Sequence, residues 1–342
     1  LSPAMAKHQE WVLFPLLVLC MAYHSSATDV KKKLFVFGDS YLDTGNSFPP
    51  AGPWRAPFGV TYPGQPSGRF SDGRVFTDFL ASFLGIDTPV PFSRSNMADG
   101  WHGQNGVNFA VGGAGVFATL WNNASMTFQM DNLQSLIDHR CYNNRDLQSS
   151  VAFVSISGND YVSYVSSNST PKNLENFTGI VTTQLARNLK RLQDMGIAKV
   201  AIASVTPFGC LPQNAGKSSY PGNCNETLNH HARLHNRLLK GKVNELNREG
   251  KRSFIYVDFY NGFSTAMDKY LSSGDRNYSN PTKGCCVGES PMSCGEVDDR
   301  WKPMYTLCDH PEKSFFWDLV HPAQHGWELV FAAVQSSLRQ LL

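Results

Sequence analysis

Leu34-Phe35-Val36-Phe37-Gly38-Asp39-Ser40 decides the reading of this chain. Four apolar residues in a row, two aromatic and one β-branched, spell a short strand buried on both faces, and Gly38 ends it. Asp39 and Ser40 then fall at the carboxyl end of that strand, where open parallel sheets place their chemistry.

Working outward, the same kind of run recurs. Val107 to Val111 stops at Gly112-Gly113, Val151 to Ser157 at Gly158, and Val200 to Val205 before Pro207; Phe254 to Val257 is a fifth candidate. Helical patterns lie between and after them. Val181 to Met195 carries Leu185, Leu189 and Leu192 on one stripe and is closed by Gly196. Thr227 to Arg248 ends at Gly250, and the tail from Pro322 to Leu341 has proline in its first turn. Strands alternating with helices predict a three-layer α/β/α domain with a mainly parallel, flavodoxin-like sheet. Residues 45–74 are rich in Pro and Gly and read as a long surface loop, with Trp54, Phe58 and Tyr62 lining a cleft.

The 342 residues exceed the usual size of one domain, yet α/β chains of this length often form one domain around one sheet, so a single domain is expected over 28–342. Hydrophobic residues make up 42% and charged residues 17%, enough for a core and unlike a disordered chain. Thirty basic and twenty-eight acidic residues, spread along the chain for a net charge of +2, leave no nucleic-acid footprint. Lys31-Lys32-Lys33, the one tight basic run, reads as a solvated stretch before the first strand.

Residues 1–27 read as a targeting segment. Met5, Lys7 and His8 precede an apolar run from Trp11 to Ala22, and Ser25-Ser26-Ala27 offers small residues for cleavage. Leu1 to Ala4, upstream of that Met, are given no role. An apolar run of about a dozen residues is too short to span a bilayer. The expectation is therefore a secreted protein without stable membrane insertion, its oligomeric state not read. Asn-x-Ser/Thr sequons at Asn123, Asn168, Asn176, Asn225 and Asn277 agree with export.

Cysteine usage agrees too. Setting Cys20 aside with the leader leaves seven, and in an oxidising compartment most should pair. Cys210 and Cys224 flank a turn-rich loop containing Pro212, Gly216, Pro221 and Gly222, and are expected to bond. Cys285, Cys286, Cys294 and Cys308 should form two more bridges, with three connectivities open. Cys141 is left over. No pair of CxxC motifs is present, so a zinc site is not expected.

Gly38-Asp39-Ser40 alone is a common tripeptide, and a serine after a strand is more often a helix N-cap. Its surroundings decide. Phe35-Val36-Phe37-Gly38-Asp39-Ser40-Tyr41-Leu42-Asp43-Thr44-Gly45-Asn46 resembles block I of the GDSL hydrolases, and Asn108-Phe109-Ala110-Val111-Gly112-Gly113-Ala114-Gly115 resembles block II. Ser157-Gly158-Asn159-Asp160 looks like block III, and Asp318-Leu319-Val320-His321-Pro322, extended by Phe316-Trp317, like block V. The blocks run in order over nearly the whole chain after the leader, and the plant-type members fit best. Tyr41 and Val111 depart from the commoner Leu and Ser at positions that do not carry the chemistry. The resemblance implies the SGNH hydrolase fold and esterase or lipase activity, on lipids, acetylated polysaccharide or secondary-metabolite esters. It also implies an extracellular or apoplastic location, with the vacuole as the other destination.

The residue types make physical sense without the family. A hydroxyl near neutral pH is a poor nucleophile and needs a base, which His321 supplies for Ser40. Asp318, three residues earlier, can fold back to accept the imidazole Nδ1–H. Pro322 disfavours helix at His321, so the pair should lie on a loop before the last helix. Three donors suit the oxygen of a tetrahedral intermediate: the Ser40 N–H where a helix should start, the Gly113 N–H with no side chain to obstruct it, and the Asn159 amide. Each such donor lowers a barrier by about 3–4 kcal/mol.

Other chemistries fit badly. There is no Gly-x-Ser-x-Gly elbow, no His-Glu-x-x-His, no Walker A loop and no Gly-x-Gly-x-x-Gly opening a helix. His230, His231 and His235 share a helix without an acidic or third ligand nearby and read as a solvated face. No metal or cofactor is expected. Two rivals stay open: an acyltransferase that passes the same acyl group to an alcohol, and a non-catalytic secreted glycoprotein that binds glycan or lipid.

Overall fold

β1 (Leu34–Gly38) is buried along its whole length, and its side chains divide by parity. Leu34 and Val36 enter one core, Phe35 and Phe37 the other. The structure, a computed structural model, describes residues 32–49, 52–97, 100–120, 124–156, 158–167, 173–250, 253–272, 280–288 and 293–342. Residues 1–27, Asn123, Ser157, Asn168 and Asn277 lie outside the described residues.

The other strands are β2 (Val90–Pro91), β3 (Asn96–Met97), β4 (Gly100–Trp101), β5 (Val107–Asn108), β6 (Val151–Ser155), β7 (Lys199–Ala203), β8 (Phe254–Val257), β9 (Cys286–Gly288) and β10 (Tyr305–Leu307). Six of them form one parallel sheet in the order β2-β5-β1-β6-β7-β8; β3 with β4 and β9 with β10 make small antiparallel ribbons. Without the two-residue β2, the order is second, first, third, fourth, fifth, the flavodoxin-like arrangement expected. The order reverses between β1 and β6. That switch point is where such sheets open a crevice, and Ser40 stands at its lip.

The helices are α1 (Phe76–Phe83), α2 (Met126–Asp138), α3 (Asn144–Gln148), α4 (Asn159–Ser167), α5 (Leu174–Asp194), α6 (Glu226–Glu249), α7 (Phe259–Ser272) and α8 (Gln324–Leu338). α1, α7 and α8 cover one face through Phe76, Phe259, Phe263 and Trp327, which meet Val36 and Phe153 of the sheet. α2, α5 and α6 cover the other through Met130, Leu133, Leu185, Leu189 and Leu239 against Phe37 and Val154. Three layers result. No helix among the described residues is long and apolar enough to cross a membrane.

Local chemistry sets several boundaries. Ser125 caps α2 by accepting from the Phe128 N–H, and Asn225 caps α6 by accepting from Leu228. α8 starts at Gln324 rather than Pro322, because the Gln324 N–H is taken by Asp72 Oδ1 at 2.7 Å, a cap supplied from 252 residues away. The run from Val107 is a strand only to Asn108, although Phe109 and Val111 still donate to Val36 and Gly38.

Residues 45–74 are not the surface loop expected. Phe58, Phe70, Ser71 and Asp72 are buried, and the Ser71 hydroxyl donates to the Pro322 carbonyl at 3.1 Å. Proline and glycine mark turns in this stretch without marking exposure. Of the three aromatic residues expected in a cleft, Phe58 packs on Trp317 and lines a small cavity beside His321. Trp54 and Tyr62 lie instead under the guanidinium groups of Arg94 and Arg74.

Cys210–Cys224 is bonded as expected, and the remaining four resolve as Cys285–Cys308 and Cys286–Cys294. Cys141, expected unpaired, is disulfide-bonded too, and no free thiol is found among the described residues. The other six described cysteines pair among themselves, so none of them is the partner of Cys141. Asn176 and Asn225 are exposed, as sugar attachment requires.

Candidate active site

Ser40 leaves β1 on one tight turn in which the Leu42 and Asp43 N–H groups donate to the Asp39 carbonyl at 3.1 and 3.0 Å. The helix expected there does not form. Asp43 takes the N–H groups of Gly45, Asn46 and Ser47 on its own carboxylate, and Gly45 at φ +137° turns the chain away. Gly38 is required just before the turn. A Cβ there would lie 2.1 Å from the Ser155 carbonyl oxygen of the neighbouring strand.

Asp318 and His321 come from the loop ahead of α8, as expected. Asp318 Oδ1 accepts the Val320 and His321 N–H groups, each at 2.7 Å, so the loop folds around its own carboxylate. Asp318 Oδ2 lies 2.7 Å from His321 Nδ1, and His321 Nε2 lies 2.8 Å from Ser40 Oγ. A carboxylate accepts only, so Nδ1 carries the proton and Nε2 is left to accept from the serine hydroxyl. Ser40, His321 and Asp318 are 9%, 5% and 3% exposed, which keeps water from competing for these bonds. The imidazole sits between two rings, Phe70 at 5.0 Å and Tyr41 at 6.0 Å between centroids. Tyr41, the departure from the commoner leucine, donates from its hydroxyl to the Val320 carbonyl at 3.0 Å and so ties the histidine loop to the serine turn. Burial pushes the Tyr41 hydroxyl pKa up, which keeps it a neutral donor.

Gly113 and Asn159 lie on two segments that meet. Gly113, at φ +79°, follows the chain that Val111 anchors to the Gly38 carbonyl. Asn159 opens α4, and its Nδ2 donates to the Ala114 carbonyl at 2.9 Å. An amide nitrogen carries two protons, so the second is left for another acceptor. A buried seryl hydroxyl bonded to its own base is an arrangement that can attack a carbonyl carbon.

Sequence reasoning missed residues that hold this site in place. Asp43 stands in the quoted block I and Asp160 in block III, yet neither was given a role. Burial pushes both carboxyls upward, and the N–H groups bonded to them pull the other way. Gln129 on α2, which carries no motif, bonds the backbone of Gly38. His235 is buried, not solvated, with Nδ1 2.6 Å from the Tyr161 hydroxyl.

Comparison with known proteins gives the family. A sequence model of the family described as GDSL-like lipase/acylhydrolase matches residues 34–334. An Arabidopsis thaliana protein named GDSL esterase/lipase is 44% identical over 313 residues, covering 90% of this chain and 86% of its own length. A second so named is 41% identical over 315 residues, covering 90% and 89%. A third Arabidopsis relative, named an inactive GDSL esterase/lipase-like protein, is 30% identical over 339 residues, covering 95% of this chain and 75% of itself.

Proposed function

The chain belongs to the GDSL-like lipase/acylhydrolase family, and from that premise we propose that it cleaves carboxylic esters through an acyl-enzyme on Ser40. Membership carries the coarse statement, a carboxylic ester hydrolase of the plant GDSL esterase/lipase type. The assignment of roles rests on one observation, the buried relay Asp318–His321–Ser40 with contacts of 2.7 and 2.8 Å.

In this reading His321 Nε2 takes the Ser40 proton as Oγ attacks the ester carbonyl. The oxyanion is held by the N–H groups of Ser40 and Gly113 and by the Asn159 amide. Collapse expels the alcohol, which leaves with the proton from His321. A water molecule, deprotonated by the same histidine, then releases the acid and restores Ser40. Asp318 fixes the imidazole and stabilises its charged form. Residues 28–342 form one secreted domain after removal of 1–27, with sugars on some of its sequons.

The test is a panel of aryl esters of increasing acyl length, together with acetylated xylan, assayed with the purified glycoprotein and its Ser40→Ala variant. Hydrolysis of at least one ester class that vanishes in the variant is the expected result. Hydrolysis that survives in Ser40→Ala would overturn the assignment. A protein without catalysis, as the name of the inactive relative has it for that protein, would hydrolyse no ester in either form.

A further inference from the structure

Gly112-Gly113-Ala114-Gly115 has no regular secondary structure of its own, and a segment so rich in glycine samples many conformations unless it is held. Two buried carboxylates hold it from opposite ends. Asp43 is fully buried; its Oδ2 accepts the Gly112 N–H at 3.0 Å and the Ser47 N–H and hydroxyl at 3.1 and 2.7 Å. Its Oδ1 takes Gly45 and Asn46. Asp160 is 4% exposed; its Oδ2 accepts the Val116 N–H at 2.8 Å and its Oδ1 the Phe117 N–H at 3.0 Å. The fit is close. A Cβ on Gly115 would stand 2.8 Å from the Asp160 carboxyl.

We propose that Asp43 and Asp160 are positioning residues for ester hydrolysis, a clamp that presets the Gly113 N–H and the Asn159 amide on one oxyanion before substrate arrives. The two carboxylates bracket Gly113 in sequence, at Gly112 and at Val116-Phe117. Asp160 also follows Asn159 directly on α4, so one turn of helix carries both a donor and the anchor of the other donor's loop. Neither carboxylate touches substrate. Their effect is to remove the reorganisation that donors would otherwise undergo as charge develops. An amide cannot replace either group. Both oxygens of each carboxylate accept N–H groups, and an Asn would turn its own NH₂ against one of them.

The proposal rests on Gly113 and Asn159 being the donors, and the experiment keeps the two ideas apart. Asp160→Asn, Ser47→Ala and Asn159→Ala are compared with wild type in the full glycoprotein. The readouts are kcat and KM on a short-chain aryl ester, the Ki of an alkyl trifluoromethyl ketone, and the unfolding midpoint. The ketone adds to Ser40 and leaves a hemiketal oxyanion where the intermediate's oxygen would sit. For Asp160→Asn a kcat loss of roughly tenfold to a hundredfold is expected, with KM nearly unchanged and Ki raised by the same factor as kcat/KM falls. Ser47→Ala, which removes one of the two acceptors 3.0–3.1 Å from the Gly112 N–H, moves the same quantities less and serves if Asp160→Asn does not fold. A lower unfolding midpoint with kcat per titrated site and Ki unchanged in Asp160→Asn and Ser47→Ala, or in whichever of the two folds, while Asn159→Ala raises Ki, overturns the clamp. If Asn159→Ala itself leaves Ki unchanged, the reading beneath the clamp fails instead.

Discussion

Gln129 closes both backbone groups of Gly38: its Oε1 accepts the Gly38 N–H at 2.8 Å and its Nε2 donates to the Gly38 carbonyl at 2.8 Å. The two residues are 91 positions apart, and Gln129 is 1% exposed. A helix side chain thus acts as a neighbouring strand at the point where β1 gives way to the serine turn. Gln129→Leu leaves the Gly38 N–H buried without a partner, while the carbonyl keeps the Val111 N–H. The expected loss is about 1–3 kcal/mol of stability. Denaturant unfolding of the variant checks it, and an unchanged midpoint would show that the pair adds nothing net.

Ser40→Ala, His321→Ala and the double variant should all fall to the same residual rate, because nucleophile and base act as one unit and their losses do not add. Asp318→Asn should retain more, since it spoils the hold on His321 and leaves the other two in place. Single-turnover rates of the four proteins decide this. A double variant far slower than either single one would mean that the two residues act separately.

If Asn159 donates to the oxyanion as proposed, Asn159→Ala should lower kcat by roughly 10²–10³ with little change in KM, because that charge exists only in the transition state. The Ala114 contact is lost as well, so some stability goes with it. Steady-state kinetics and thermal unfolding on one preparation separate the two effects. A destabilised enzyme with full kcat per folded molecule would remove Asn159 from the oxyanion site.

His235 gives the stability curve an acid slope. Burial holds its pKa down to about 3 against an ordinary 6.5, so below pH 6.5 the unfolded chain takes up a proton that the folded chain refuses. Stability from this group is whole above pH 6.5 and is lost toward pH 3, at up to about 1.4 kcal/mol per pH unit. Asp43, Asp72 and Asp160, pushed upward by burial, give a slope of the opposite sign in acid, so the variant comparison is what isolates His235. Gln at 235 can still accept from Tyr161, and urea unfolding of His235→Gln and wild type should converge as pH falls from 7 to 4. Parallel curves would contradict the assignment.

Much of the Ser40–His321–Asp318 arrangement was legible because its signals are local. β1 buries both faces, so it reads as one continuous apolar run, and Asp318 to His321 closes within four residues. What stayed hidden depends on distant partners. Asp72 fixes the start of α8 from 252 residues away, and Gln129 reaches Gly38 across 91. α1, α2 and α7 went unread among the aromatic and polar residues around them, and β2, two residues long, offers no period to detect. His235 lies on the buried stripe of α6 with Ala232, Leu239 and Val243, a spacing that marks its face as inward, and Tyr161 of another helix meets it there.

Labelling with a fluorophosphonate, followed by peptide mapping and a parallel ester assay, tests the central claim most directly. Nucleophilic catalysis by Ser40 predicts one adduct per chain on the peptide that carries Ser40. Esterase activity should disappear in proportion to labelling, and Ser40→Ala should take up no label. Turnover that persists in fully labelled protein, or an adduct on another residue that accounts for the lost activity, would contradict it.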